Sequence, residues 1–233
     1  RPVVNPDGVM YNPASILHTV DRYVDRLEAE NAEAPRTAVF TLGTNHVYIL
    51  NETGEIVDNC RKRPQRLFTE RELTVDECAE YLCRAIGRLR SVNPDVRVVL
   101  TVSPIRYAKY GFHGSQLSKA VLLLAADKVV RGHDMVEYFP AYEIVNDELR
   151  DYRFYREDML HPSDQAVEYI WQRFGDTYFS EHTRSFLEEW HPVKAALGHR
   201  PFNADSEEHK EFLHKTMEKA DALKAKYEGF EMP

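Results

Sequence analysis

Apolar and polar positions along the chain change period in a regular order. Between Asn12 and Asn31, Ile16, Val20, Tyr23, Val24 and Leu27 return every three or four residues, which predicts a helix with Asn12 as N-cap and Pro13 at its first position. The acidic, alanine-rich stretch from Glu28 to Ala34 ends that helix, and Pro35 stands just beyond. Ala38-Val39-Phe40-Thr41-Leu42 is a continuous run of β-forming residues and predicts a strand buried on both faces, stopping at Gly43-Thr44-Asn45. Val47 to Leu50 and Glu55 to Val57, joined by Asn51-Glu52-Thr53-Gly54, predict a hairpin inserted after that turn. A charged, arginine-rich loop is expected from Cys60 to Arg71. Thr74 and Glu77 form a capping box for a helix from Val75 to Arg90, with Cys78, Leu82, Ile86 and Leu89 inward.

The second half continues the alternation. Val96 to Val102 reads as another buried strand, ending at Ser103-Pro104-Ile105-Arg106, and an apolar helix follows from about Gln116 to Arg131. Met135 to Phe139 predicts a third short strand, Tyr142 to Asn146 a helical turn, and Asp164 to Phe174 a helix capped by Ser163, with Val167, Ile170, Trp171 and Phe174 on its apolar side. Strand, helix, strand, helix, strand predicts an α/β fold with a right-handed parallel sheet and helices on both faces. The strand tips then share one carboxyl edge, where open α/β sheets place their ligands. From about Phe179 the pattern changes to charged segments with sparse apolar positions, so residues 1–178 are expected to form the α/β domain and 179–233 a helical extension. Its two amphipathic helices, Glu181 to Leu197 and Ser206 to Tyr227, join near Gly198 to Asn203 and are suited to packing on the domain or on a partner, including a second copy of the chain.

Composition narrows the classes. A chain of 233 residues with 43% hydrophobic content can bury a large core. The formal net charge is −8 and the basic residues are interleaved with acidic ones, which argues against a nucleic-acid partner. Cys60, Cys78 and Cys83 are odd in number and lack a Cys-x-x-Cys spacing, which suits free thiols in a reducing, cytoplasmic setting. The longest apolar run, Ala120 to Ala126, is too short to span a bilayer, and the opening residues lack a signal-peptide pattern, so no membrane association is expected; a signal removed upstream of Arg1 would not be seen. His182, His191, His199, His209 and His214 match no zinc-site spacing, and neither a metal nor another cofactor is expected.

The stretch with chemistry is Asp158-Met159-Leu160-His161-Pro162-Ser163. An acid three residues before a histidine can hold a carboxylate against an imidazole nitrogen within one turn; the plain alternative is a surface Asp/His pair before a helix cap. Two further polar clusters weigh for the first reading: Gly43-Thr44-Asn45 and Ser103 to Arg106 fall on the same predicted sheet edge. Ser103 and Arg106 are candidate substrate-binding residues, although an arginine there is equally suited to pairing a local carboxylate.

Several segments, in order, resemble the GSCFA-domain proteins of the SGNH/GDSL hydrolase superfamily. They are Asn5-Pro6-Asp7-Gly8-Val9-Met10-Tyr11-Asn12-Pro13, Thr41-Leu42-Gly43-Thr44, Val102-Ser103-Pro104-Ile105-Arg106, Ser118-Lys119-Ala120, Tyr138-Phe139-Pro140-Ala141-Tyr142-Glu143, and Asp147 through Tyr155 to His161-Pro162-Ser163. The resemblance covers roughly the first 175 residues. It implies a three-layer, flavodoxin-like sheet and a serine-type esterase centre in which His161 is the base and Asp158 its orienter. The oxyanion positions map onto Gly8, Gly43 and Asn45, the last carried over from the wider superfamily. The Gly-Ser-Cys-Phe-Ala segment that bears the nucleophile has no counterpart here, and Val3-Val4 reads as the tail of a second strand, so the first strand-helix unit is expected upstream of Arg1. Ser103 is the best internal substitute, yet Pro104 removes an N–H that an oxyanion hole would use. Two functions follow: hydrolysis of a small-molecule or carbohydrate ester, or a noncatalytic binding or scaffold module that keeps the same pocket.

Overall fold

The computed structural model describes residues 11–199 and 206–227, and the chain divides into two compact units, Arg1–Ile170 and Trp171–Pro233. In the first unit, helix α1 (Pro13–Glu30) begins where the local signals put it. Asn12 Oδ1 accepts the Ser15 N–H at 2.9 Å, Pro13 fills a position that needs no N–H, and Asn31 closes the helix in the left-handed region at φ 50°. Strand β1 (Thr37–Leu42) follows, and its burial alternates. Phe40 and Leu42 are buried while Val39 is 47% exposed, so the expectation of a strand buried on both faces is corrected: among the described residues only one face of β1 is covered.

The inserted element is larger than a hairpin. β2 (His46–Leu50) pairs antiparallel with β3 (Ile56–Val57) on one side and with β4 (Phe68–Glu72) on the other. The segment expected as a charged loop thus ends in a strand, in register Tyr48↔Glu70 and Leu50↔Phe68. Helix α2 (Val75–Arg90) then starts on the capping box: Glu77 N–H donates to Thr74 Oγ1 at 3.2 Å and Thr74 N–H to Glu77 Oε2 at 2.8 Å.

β5 (Arg97–Val102) pairs parallel with β1, and after α3 (Gly111–Gly132) the strand β6 (Val136–Phe139) pairs parallel with β5, giving the order β1-β5-β6. β5, flanked on both sides, is buried from Val98 to Val102, as the sequence pattern predicts. Both crossovers run in one direction, so right-handed connections place α2 and α3 in one row, with α1 packed beside α2. The short helix α4 (Ala141–Glu143) also packs on β5 and runs into a π-helical stretch, Ile144–Leu149, that ends on Arg150 at φ 49°. The core of this α/β unit, a parallel sheet flanked by helices, includes Val20, Val24, Leu42, Leu82, Ile86, Leu100 and Leu122.

Helix α5 (Asp164–Tyr178) starts on Ser163, whose Oγ accepts the Ala166 N–H at 3.3 Å, and runs past the expected end at Phe174. Val167 and Trp171, expected inward, are half-exposed. In the second unit Trp171 stacks with Phe174 at 6.0 Å and meets Phe179 edge-on at 5.2 Å. α6 (Glu181–Leu197) and α7 (Glu207–Lys226) pack through Trp190, Val193, Ala220, Leu223 and Tyr227. Glu189 joins them by accepting from Lys226 at 2.6 Å and from Tyr227 at 2.9 Å. Among the described residues no helix is long and apolar enough to cross a membrane.

Candidate functional site

The Asp158–His161 loop is a tight reversal. Tyr155 and Pro162 form an antiparallel bridge, the Arg156 N–H donates to His161 O at 2.8 Å, and Met159 N–H donates to Arg156 O at 2.9 Å. Met159 takes φ 60°, a left-handed backbone that a long side chain seldom adopts. That turn carries Leu160 and His161 back over Asp158. Oδ1 accepts their backbone N–H groups at 2.9 and 3.0 Å, while Oδ2 stands 2.6 Å from His161 Nδ1. The backbone N–H of His161, that of Leu160 and the imidazole together lower the Asp158 pKa to about 2. An ionised carboxylate at that distance takes the Nδ1 proton as a hydrogen bond and leaves Nε2 free to accept one. Both side chains are about half-exposed.

One of the predicted strand tips, Ser103 to Arg106, meets this loop through the backbone. Ser103 N–H donates to Leu42 O at 2.8 Å, which ties the ends of β1 and β5, and Arg106 N–H donates to Leu160 O at 3.0 Å. Arg106 Nη1 also reaches Met159 O at 3.4 Å, and its guanidinium lies 3.9 Å from the centre of the Tyr155 ring and 5.6 and 5.9 Å from those of Tyr152 and Phe112. Arg106 therefore clamps the loop onto the sheet edge, and among the described residues no carboxylate pairs it, the alternative to its expected role in substrate binding. Phe112 and Tyr152 are 72% and 65% exposed beside it. Ser103 Oγ accepts the Ile105 N–H at 3.3 Å, and among the described residues no hydroxyl bonds His161.

The Gly43 tip belongs to a buried layer. Gly43 N–H donates to Tyr11 O at 2.6 Å, and a Cβ on Gly43 would stand 2.6 Å from the Tyr107 hydroxyl. Its carbonyl accepts from Lys119 Nζ at 2.5 Å. Lys119, 2% exposed, is pushed down to about 7 by burial. Asn45 is buried, with its amide donating to Leu73 O at 2.8 Å and its backbone N–H to Ser118 Oγ at 3.0 Å. The structure therefore turns Asn45 inward and engages the Gly43 N–H, so neither expected oxyanion donor is open as it stands. Gly8 lies outside the described residues. Lys119, Ser118 and Tyr107 were not among the expected site residues. The sequence signals for them are a lysine on the apolar stripe of α3, between Ser115 and Leu122, and the family-like segment Ser118-Lys119-Ala120.

Further support for this edge comes from the inserted sheet. His46 stacks on Tyr110 at 3.6 Å, Glu70 accepts from Lys109 at 2.6 Å and from Tyr110 at 2.8 Å, and Lys109 also bonds Tyr48. These contacts fix the segment that follows Arg106.

Among known proteins, a search of curated sequences finds no match. Solved structures with similarity include a family 3 carbohydrate esterase of Clostridium thermocellum, at 17% identity and TM-score 0.38 over 68% of this chain and 63% of that one. An acetyl esterase mutant with acetate ion gives 13% identity and TM-score 0.41 over 69% and 64%, and a carbohydrate esterase family 3 protein of Talaromyces cellulolyticus gives 16% and 0.40 over 69% and 64%. The chain thus spans 63–64% of the length of these structures. The model of the GSCFA family matches residues 26–174, and that of the GSCFA domain protein C-terminal domain matches 190–232. Those matches take in β1, the Ser103–Arg106 tip, the Asp158–His161 loop and most of the helical unit, and the chain belongs to the GSCFA family.

Proposed function

We propose that this protein is a serine-type acyl-ester hydrolase of the SGNH kind, with His161 as general base and acid and Asp158 as its orienter. The observation that carries the reading is the 2.6 Å contact between His161 Nδ1 and an Asp158 carboxylate that two backbone N–H groups also hold. With Nδ1–H given to Asp158, Nε2 takes the proton of a serine hydroxyl as the oxygen attacks the ester carbonyl. The imidazolium then returns that proton to the departing alcohol, and a water repeats the sequence to release the acid. Asp158 stays ionised throughout and balances the transient positive charge on His161.

The serine is assigned to the Gly-Ser-Cys-Phe-Ala segment that the GSCFA resemblance implies, which none of residues 1–233 supplies. Gly8 is retained as an oxyanion donor, and Gly43 and Asn45 are assigned to shaping the strand tip. Carbohydrate esters are the proposed substrates because the exposed rings of Phe112 and Tyr152 offer flat apolar faces beside the loop.

The test is turnover of p-nitrophenyl acetate and of an acetylated oligosaccharide by the full-length protein and by His161→Ala. Turnover by the wild type and a loss of roughly four orders of magnitude or more in the variant are expected. Absence of hydrolysis on both substrates, or equal rates in the two proteins, would overturn the assignment and favour a noncatalytic module.

A further inference from the structure

A concave site lies in the first unit, where α1 faces the inserted β2-β3-β4 sheet. It is a cleft of about 460 Å³ lined by His18 and Arg22 of α1, by Asp58, Arg61 and Arg63, and by an apolar group of Ile56, Val57 and Phe68. That volume falls in the range of small-molecule sites.

Its charge runs against that of the protein. Three guanidinium groups and an imidazole meet one carboxylate, in a chain of formal net charge −8. Asp58 is already satisfied: Oδ1 is 2.8 Å from His18 Nδ1, and Oδ2 accepts from Arg22 Nη1 at 2.7 Å. Burial opposes its ionised form, but the hydrogen bonds from His18 and Arg22 outweigh that and keep its pKa below the ordinary carboxylate value. Arg61 and Arg63 have no carboxylate partner among the described residues, and Arg63 lies 5.9 Å over the Phe68 ring. With Nδ1 of His18 engaged, Nε2 is the ring nitrogen left for a ligand.

The backbone gives an independent sign. Arg61 and Lys62 both take left-handed conformations, at φ 48° and 57°, in a turn closed by Arg63 N–H on Cys60 O at 2.9 Å and held by Arg61 N–H on Asn59 Oδ1 at 2.7 Å. Turns with two positive φ values favour Asn-Gly, and long side chains there carry strain of the sort that concentrates at ligand clamps. The strained turn is the one that brings two arginines to the cleft.

We propose that this cleft binds a small organic oxyanion, a phosphate ester or a carboxylate, with its charged group on Arg61 and Arg63 and its apolar part against Phe68, Ile56 and Val57. Guanidinium forks grip two oxygens of either group at once, which an ammonium cannot do. The site is separate from the Asp158–His161 loop and does not depend on its chemistry.

Isothermal titration of the full chain at low ionic strength tests this, with inorganic phosphate, glucose 6-phosphate and galacturonate as probes and sodium chloride at matched ionic strength as control. Saturable binding of glucose 6-phosphate tighter than that of inorganic phosphate identifies a phosphate ester, and binding of galacturonate identifies a carboxylate. Arg61→Asn, which suits the left-handed backbone, combined with Arg63→Gln is expected to weaken binding by at least about tenfold. Circular dichroism melting of the double variant reports whether the fold is kept. Heats no larger than the chloride control for all three probes, or undiminished affinity in a folded double variant, would overturn the proposal.

Discussion

Asp158 receives three donors on two oxygens, and that arrangement sets both its charge and the tautomer of His161. Asp158→Asn keeps an acceptor for the two backbone N–H groups but replaces an acceptor-only carboxylate with a group that can donate to Nδ1, which would leave the Nε2 proton on the wrong side. In the hydrolase reading its expected effect is a fall in kcat of roughly three to four orders of magnitude with KM little changed, measured by steady-state kinetics on p-nitrophenyl acetate. A loss carried mainly by KM would point to substrate binding instead. The pair was legible in the sequence because it is local: three residues separate acid and base, and Pro162 and Ser163 mark the turn that folds them together. Lys119 was not, since its acceptor Gly43 is 76 positions away and only the assembled sheet edge brings them together.

Helix ends follow the same division between local and distant causes. Asn12 with Pro13, and Thr74 with Glu77, define the starts of α1 and α2 through groups within three residues of one another, and the structure places both starts as expected. Thr74→Ala removes the acceptor for the Glu77 N–H; we expect about 1 kcal/mol of lost stability in urea unfolding, without loss of the Asp158–His161 contact. β4 carries no strand signal of its own, because Phe68-Thr69-Glu70-Arg71-Glu72 is mostly polar. It becomes a strand through its pairing with β2 and through the bonds of Glu70 to Lys109 and Tyr110, all of them distant in sequence. The exposure of Val39 was hidden for the converse reason. An apolar run reads the same whether one or both of its faces are covered, and the neighbours of β1 decide which.

On the scale of the whole molecule, burial of Lys119 ties stability to pH. Its folded pKa, about 7, lies below that of an unfolded lysine because burial disfavours the charged form. Between about pH 7 and pH 10 the unfolded chain therefore binds more protons at this position than the folded one, and stability rises with pH. The penalty is full below the folded value and fades above it. Lys119→Met removes the effect, so wild type should gain on the variant in urea unfolding as pH is raised from 7 to 9.5; a pH-independent difference would mean that the lysine is not desolvated.

The setting of Gly43 also constrains the order in which this protein can change. Its N–H is held by Tyr11, its carbonyl by Lys119, and the space where a Cβ would go is taken by the Tyr107 hydroxyl. An alanine arriving at position 43 first meets that hydroxyl and presses on Tyr11; arriving after loss of the Tyr107 hydroxyl, it meets only Tyr11. Lineages can therefore cross this part of the fold by one route far more readily than by the other, with the tyrosine altered before the glycine.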